Sequence, residues 1–233
     1  MGARYSFLVR VKMRQSLAMT TGAALTIDHI LYVAADLDTA SDHLWRTYGL
    51  EAIDGGKHEA WGTGNRLVPI GDHYIELFSV IDRGVAEGNP VGRWLLSASA
   101  KGDGPRAVCL RSTEFEMQAA RLSLSMQDGE RTYPDGRRVV WRQAGVAEAM
   151  LTGRPYFMFD WPEQSLALRL GQRPPCHATE MAGIASVTLR GPLEAFPELG
   201  PAIEVQSAAE IQLQHVVIAR TDGSVFQIPG GIR

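Results

Sequence analysis

The sequence predicts an α+β fold in which two successive βαβββ units, over about residues 26–82 and 105–162, are followed by a shortened β-rich unit over 176–233. Three observations predict it. A β-branched and aromatic run from Thr26 to Val33 leads into an amphipathic helical stretch and then three more short strand-like runs. The same order returns after the break at Gly88-Asn89-Pro90, and the remaining chain alternates strand and turn without completing the set.

In the first unit, Asp36 or Asp38 can cap a helix in which Leu37, Ala40, Leu44 and Tyr48 recur at spacings of three and four, and Gly49 can end it. Leu50 to Ile53 reads as a short strand turned by Gly55-Gly56. Asn65 to Ile70 reads as the next, turned by Gly71-Asp72, and Tyr74 to Val80 as the fourth. Val91 to Ala100 reads as a helical connector. The second unit takes Arg106 to Leu110 as strand, Glu114 to Met126 as helix, Arg131 to Tyr133 and Arg138 to Arg142 as strands around Pro134-Asp135-Gly136, and Pro155 to Trp161 as its closing strand. Gly171 to Pro175 is linker-like. Beyond it, Ile184 to Leu189, Ile203 to Val205, Ile211 to Ala219 and Val225 to Ile228 read as strands, with a short helical piece near Leu193 to Leu199.

With 233 residues, 45% hydrophobic and 21% charged, the chain can bury a sizeable core. A formal net charge of -3 gives no reason to expect nucleic acid or an anionic membrane as a partner, so small molecules are the expected partner class. Two cysteines, Cys109 and Cys176, are no disulfide framework and fit a reducing cytoplasm. No apolar run is long enough to span a bilayer. Residues 1–25 carry Arg4, Arg10, Lys12 and Arg14 without an acid, and the basic residues interrupt any apolar stretch. They read as a flexible leader rather than a secretory signal.

Two of the strand-like runs each contain an ionisable group. On a period of two, His29 shares a face with Ile27, Leu31 and Val33, and Glu76 shares one with Tyr74, Phe78 and Val80. A carboxylate buried among such neighbours needs a hydrogen bond, a cation or a metal. His29 and Glu76 are ordinary ligands for zinc, iron, manganese or nickel, and they equally suit a plain polar pair that satisfies itself.

Three segments then carry a family resemblance: Ile27-Asp28-His29-Ile30-Leu31-Tyr32, the run from Gly55-Gly56-Lys57-His58 through Trp61-Gly62-Thr63-Gly64-Asn65-Arg66-Leu67, and His73-Tyr74-Ile75-Glu76-Leu77. The strand from Pro155 to Trp161 adds a fourth. Over about residues 27–175 the chain resembles the glyoxalase-like domain family of the vicinal oxygen chelate superfamily. The resemblance implies an open barrel-like cleft formed by two units, with a metal or ligand inside. It also implies a metal-ligand role for His29 and Glu76, and a metal-dependent lyase, isomerase or dioxygenase, or a metal-free binding protein, since that fold hosts all of these. The second unit departs from the metalloenzyme pattern: its strands read Arg106-Ala107-Val108-Cys109-Leu110 and Tyr156-Phe157-Met158-Phe159-Asp160, so only an Asp160 ligand is conceivable there.

Candidates beside the ligand pair are His58, as third ligand or general base, with Glu76 as its catalytic partner. Asn65 and Arg66, with the aromatic residues Trp61, Tyr156 and Trp161, are candidates for substrate contact, and Arg154 is a further anchor for a carboxylate or phosphate. His43, His73, His177 and His215 have no motif around them. The C-terminal unit has exposed-edge character that suits a homodimer.

Overall fold

The computed structural model describes residues 25–171 and 173–231. The leader reading lies on residues outside this range, apart from Leu25, which is buried.

Eight strands close into a barrel, in the order β1-β4-β3-β2-β6-β7-β8-β5. The first unit contributes β1 (Thr26–Val33), helix α1 (Leu37–Tyr48), β2 (Ile53–His58), β3 (Thr63–Ile70) and β4 (His73–Val80). The second contributes β5 (Gly104–Arg111), α4 (Phe115–Arg121), β6 (Met126–Thr132), β7 (Arg138–Ala144) and β8 (Tyr156–Asp160). In each unit the first strand pairs in parallel with the fourth, and β1 meets β5 antiparallel across the seam. The other seam is sparse: β2 and β6 pair through Lys57 and Thr132 alone among the described residues. The expected open barrel is therefore closed in its ladder and parted along one side.

The capping reading of α1 matches the structure. Asp36 accepts from the Thr39 N–H at 2.7 Å, and Gly49 ends the helix at φ +70°. Gly55-Gly56 is a correction. The pair lies inside β2, where the register against β3 shifts between Asp54 and Lys57, and it is a bulge rather than a turn. A Cβ on Gly55 would meet Asn65 Oδ1 at 2.0 Å, so glycine is required by close approach. The strand expected at Leu50 to Ile53 accordingly starts only at Ile53.

The helix expected to reach Met126 stops at Arg121, because Ser123 takes a φ of +52° and Met126 already opens β6. Three short helices escaped the pattern: α2 (Arg83–Glu87), α5 (Val146–Thr152) and α6 (Glu163–Arg169), while α3 (Pro90–Ser99) is the expected connector.

The core has two layers. Leu31, Val33, Tyr74, Phe78, Trp141, Phe157, Phe159 and Trp161 fill the barrel. Ile30, Tyr32, Ile70, Ile75, Val108 and Leu110 face outward, toward α1, α4 and a second sheet. That sheet has the order β10-β9-β11-β12, from β9 (Met181–Gly191), β10 (Ile203–Ser207), β11 (Gln212–Arg220) and β12 (Val225–Pro229). The expected C-terminal β-rich unit is thus a separate four-stranded sheet packed on β5, β3 and β4, in which the first strand pairs with the second and third. No helix among the described residues is long and apolar enough to cross a membrane. Cys109 is buried and Cys176 exposed, both as free thiols.

Candidate functional site

His29 enters the barrel through an irregularity in β1. Strict alternation would put Ile27 on its face, but a register shift between Ile27 and His29 sends Ile27 to the outer layer and turns both Asp28 and His29 inward, fully buried. Asp28 Oδ1 lies 2.8 Å from His29 Nδ1. Its other oxygen accepts from Trp161 Nε1 at 3.2 Å and from Arg169 Nη1 at 3.1 Å, with Arg111 Nη1 at 3.8 Å. An ionised carboxylate only accepts, so the imidazole donates from Nδ1 and its orientation is fixed. The ring stacks on Tyr74, with centroids 4.4 Å apart, and meets the edges of Phe157 and Phe159.

Nε2 of His29 then points at Glu76 Oε2, 3.4 Å away, and is a buried polar atom without a hydrogen-bond partner. Glu76 Oε1 accepts from Asn65 Nδ2 at 2.6 Å, and Asn65 Oδ1 accepts from the Gly56 N–H at 2.7 Å. The glycine bulge thus aims the amide and the amide holds the carboxylate. His58 Nε2 stands 3.9 Å from Glu76 Oε1, with His58 Nδ1 3.2 Å from Thr63 Oγ1. Trp61, Phe78 and Trp141 surround its ring at 5.5 to 6.1 Å between centroids.

The electrostatics follow from burial and neighbours. Burial disfavours the charged form of His29, but Asp28 and Glu76 outweigh it and raise its pKa. Burial would push Glu76 up, yet His29, His58 and the Asn65 amide bring it down to about 2. Burial lowers His58 to about 4 against the pull of Glu76, with Arg131 adding to the shift, so His58 is neutral at pH 7. Beside it, a cavity of about 560 Å³ opens where β2 and β6 part, lined by His58, Trp61, Arg131, Trp141 and Pro162 among others.

Of the residues singled out in the sequence, His29, Glu76, His58, Asn65, Trp61 and Trp161 are gathered in or beside the barrel interior. Arg66 is not: it lies against α1, donating to Leu37 O at 3.1 Å and Ser41 Oγ at 3.0 Å and pairing with Asp38. Tyr156 also faces outward into the second layer, under the Arg154 guanidinium at 5.4 Å, because Phe157, Phe159 and Trp161 take the inward positions of that stretch. Asp160 points out to Arg142, so it is no ligand. His73 and His177 accept from backbone N–H groups of Ile184 and Glu51. His43 is exposed and His215 bonds Thr188.

The sequence profile of the glyoxalase-like domain family matches residues 27–198. The chain belongs to this family. Solved structures similar to it include a hypothetical protein from Staphylococcus aureus, with 16% identity over 87% of this chain and 98% of that one at a TM-score of 0.61. A variant of Streptomyces coelicolor methylmalonyl-CoA epimerase in complex with 2-nitronate-propionyl-CoA aligns at 20% identity, over 61% of this chain and 97% of that one, with a TM-score of 0.41. Methylmalonyl-CoA epimerase from Mycobacterium tuberculosis aligns at 18% identity, over 65% and 96%, with a TM-score of 0.41. No curated protein matches at a significant level.

In this glyoxalase-like barrel the two units carry different chemistry at equivalent places. His29 pairs with Tyr74, two residues before Glu76; Cys109 pairs with Phe157, two residues before Phe159. Cys109 and Phe159 therefore stand where the first unit has His29 and Glu76. Burial raises the Cys109 thiol well above its ordinary range and keeps it protonated. Ligand atoms of Asp28, His29 and Cys109 lie within 4.8 Å of one another, but Asp28 is already taken by Arg169 and Arg111, which oppose a cation there. Outside that trio, His29 Nε2 and Glu76 Oε2 form the closest pair of unshielded donor atoms, with His58 Nε2 3.9 Å from the other Glu76 oxygen and the three not gathered within 4.8 Å of one another. A separation of 3.4 Å suits two ligands of one first-row ion at about 2.1 Å each, and the neutral His58 has a lone pair to offer. Sequence reasoning missed Asp28, Arg169 and Arg131. Asp28 had a signal, a second charge beside His29 in an apolar strand, whereas the two arginines had none.

Proposed function

We propose that this chain is a glyoxalase-like protein that acts on a small, oxygen-rich organic molecule, with a divalent ion held by His29 and Glu76 and completed by His58 or water. Zinc, iron, manganese and nickel all suit such ligands. The observation that carries this reading is the His29 Nε2 atom: buried, without a hydrogen-bond partner, and facing a carboxylate oxygen 3.4 Å away while Nδ1 is occupied by Asp28. The two carboxylates that raise the His29 pKa favour positive charge at this place, and a divalent ion between Nε2 and Oε2 would supply it in place of the proton.

Such an ion supplies Lewis acidity to adjacent oxygens of the substrate, of the kind that favours an enediolate-type oxyanion in lyase or isomerase chemistry. The chain's own groups do the rest. Asp28 holds the His29 ring in place, Asn65 fixes Glu76, and Trp61 and Trp141 shape the cavity wall. Of the two candidate acid–base groups, His58 at about 4 is the better proton acceptor, at Nε2, than Glu76 at about 2.

Metal content by mass spectrometry of untagged protein tests the reading. One equivalent in wild type, lost in both His29→Ala and Glu76→Ala, is the expected result. The second reading, a metal-free small-molecule binding protein, is favoured by Cys109 and Phe159 at the second unit's equivalent positions. In it, His29 is an imidazolium bridging Asp28 and Glu76. Folded, metal-free wild type that refuses added zinc, iron, manganese and nickel would move the assignment there.

A further inference from the structure

Arg131 is a buried cation whose hydrogen bonds go to none of His29, Glu76 and His58. It sits on β6, 2% exposed, and lines the same cavity as His58, Trp61 and Trp141. Its Nη2 donates to neutral oxygens: Tyr133 Oη at 3.0 Å, Leu168 O at 3.3 Å and Arg169 O at 3.4 Å. The guanidinium carbon lies 5.2 Å from the Tyr133 ring centroid. Nε is buried with no hydrogen-bond partner, and no carboxylate among the described residues comes within 4.0 Å of the guanidinium.

The neighbouring charges are already balanced. Asp28 has Arg169 and Arg111, and Glu76 has His29. A fully buried guanidinium left with dipoles alone is costly, and it becomes favourable when an anion arrives to share the same desolvated space. Helix-end carbonyls at Leu168 and Arg169 hold Nη2 but leave Nε unpartnered and the charge without a counter-ion in a residue that lines the cavity.

We propose that Arg131 is an anion subsite of this cavity and that the ligand carries a carboxylate, presented to Arg131 while its remaining oxygens lie toward His58 and Glu76. The proposal rests on the reading of the barrel interior as a small-molecule site. It names the ligand class as small organic acids with an aromatic or apolar body, since Trp61, Trp141 and Pro162 supply the adjacent wall.

Calorimetric titration of the full chain with phenylpyruvate, mandelate and benzoate, each against its uncharged amide, tests it. The expected result is that wild type binds at least one acid about tenfold or more tightly than its amide. Arg131→Met should erase that preference and Arg131→Lys should keep part of it. Equal binding of acid and amide to wild type overturns the proposal, as does no measurable binding of any acid. An Arg131→Met protein that keeps the preference overturns it too and assigns Arg131 to packing. The wild-type comparison stands even where Arg131→Met does not fold. Metal content is read on the same samples. An acid preference in metal-free wild type would leave this subsite and remove the metal reading, whereas bound metal without an acid preference would do the reverse.

Discussion

His58 and His29 lie on either side of one carboxylate and respond to burial in opposite ways. His58 has only the distant pull of Glu76, so desolvation wins and holds it at about 4, below the ordinary 6.5. The unfolded chain therefore binds a proton that the folded chain refuses. Stability from this group is complete above pH 6.5 and falls as pH drops toward 4, by at most about 3 kcal/mol. His29, whose pKa is raised, contributes the other way: its stability is present below the ordinary value and lost as pH rises through the folded one. In chelator-treated protein, His58→Gln should flatten the fall in Tm between pH 7 and 4.5. A wild-type-like slope in that variant would mean that His58 is not held neutral. At the same scale, Asp28→Asn should weaken binding of added zinc by about 10-fold or more in folded protein, because Trp161 and Arg169 claim the amide oxygen and the NH2 then faces Nδ1, which selects the other tautomer.

At the scale of elements, the bulge in β2 does most to build the site. Gly55-Gly56 on β2 brings a backbone N–H against Asn65 on β3, whose amide donates to Glu76 on β4, so three neighbouring strands share one hydrogen-bonded line. Gly55→Ala would place a methyl 2.0 Å from Asn65 Oδ1 and should cost about 1–3 kcal/mol while releasing Glu76 from its amide. Gly84→Ala, on α2, meets only Asp82 Oδ1 at 3.4 Å and should change stability by less than about 1 kcal/mol. Denaturant unfolding of both variants measures the contrast; equal losses would mean that the bulge tolerates a side chain.

For the whole molecule, the outer layer of the barrel is finished by the four-stranded sheet rather than by solvent. Ile70, Ile75, Val108 and Leu110 share one core with Val187, Leu189, Val216 and Ile218. The segment that joins them is anchored where His177 accepts from the Glu51 N–H at 3.0 Å and lies 2.6 Å from Pro69 O. A chain ending at residue 175 should expose this face and aggregate or lose cooperative unfolding. Light scattering and thermal melting check it, and a monodisperse truncated protein with wild-type Tm would refute the dependence. The family profile also runs past the barrel to residue 198, into this sheet, further than the 27–175 legible from the motifs.

The sequence by itself determined the two βαβββ units, the capping of α1 and the presence of His29 and Glu76 inside apolar strands. Those features are written in local spacing: period two in strands, three and four in a helix, and residue types that end each. What only the tertiary structure decided were the faces and the partners. A one-residue bulge in β1 turned Asp28 inward beside His29, and alternation in β8 put Phe159 rather than Asp160 at the place equivalent to Glu76. Arg66 went to α1, while Arg131, unremarkable in a polar strand, became the buried cation of the cavity. Register shifts and long-range ion pairs depend on which strands meet when the barrel closes, and that closure joins residues more than a hundred positions apart, such as Asp28 and Arg169.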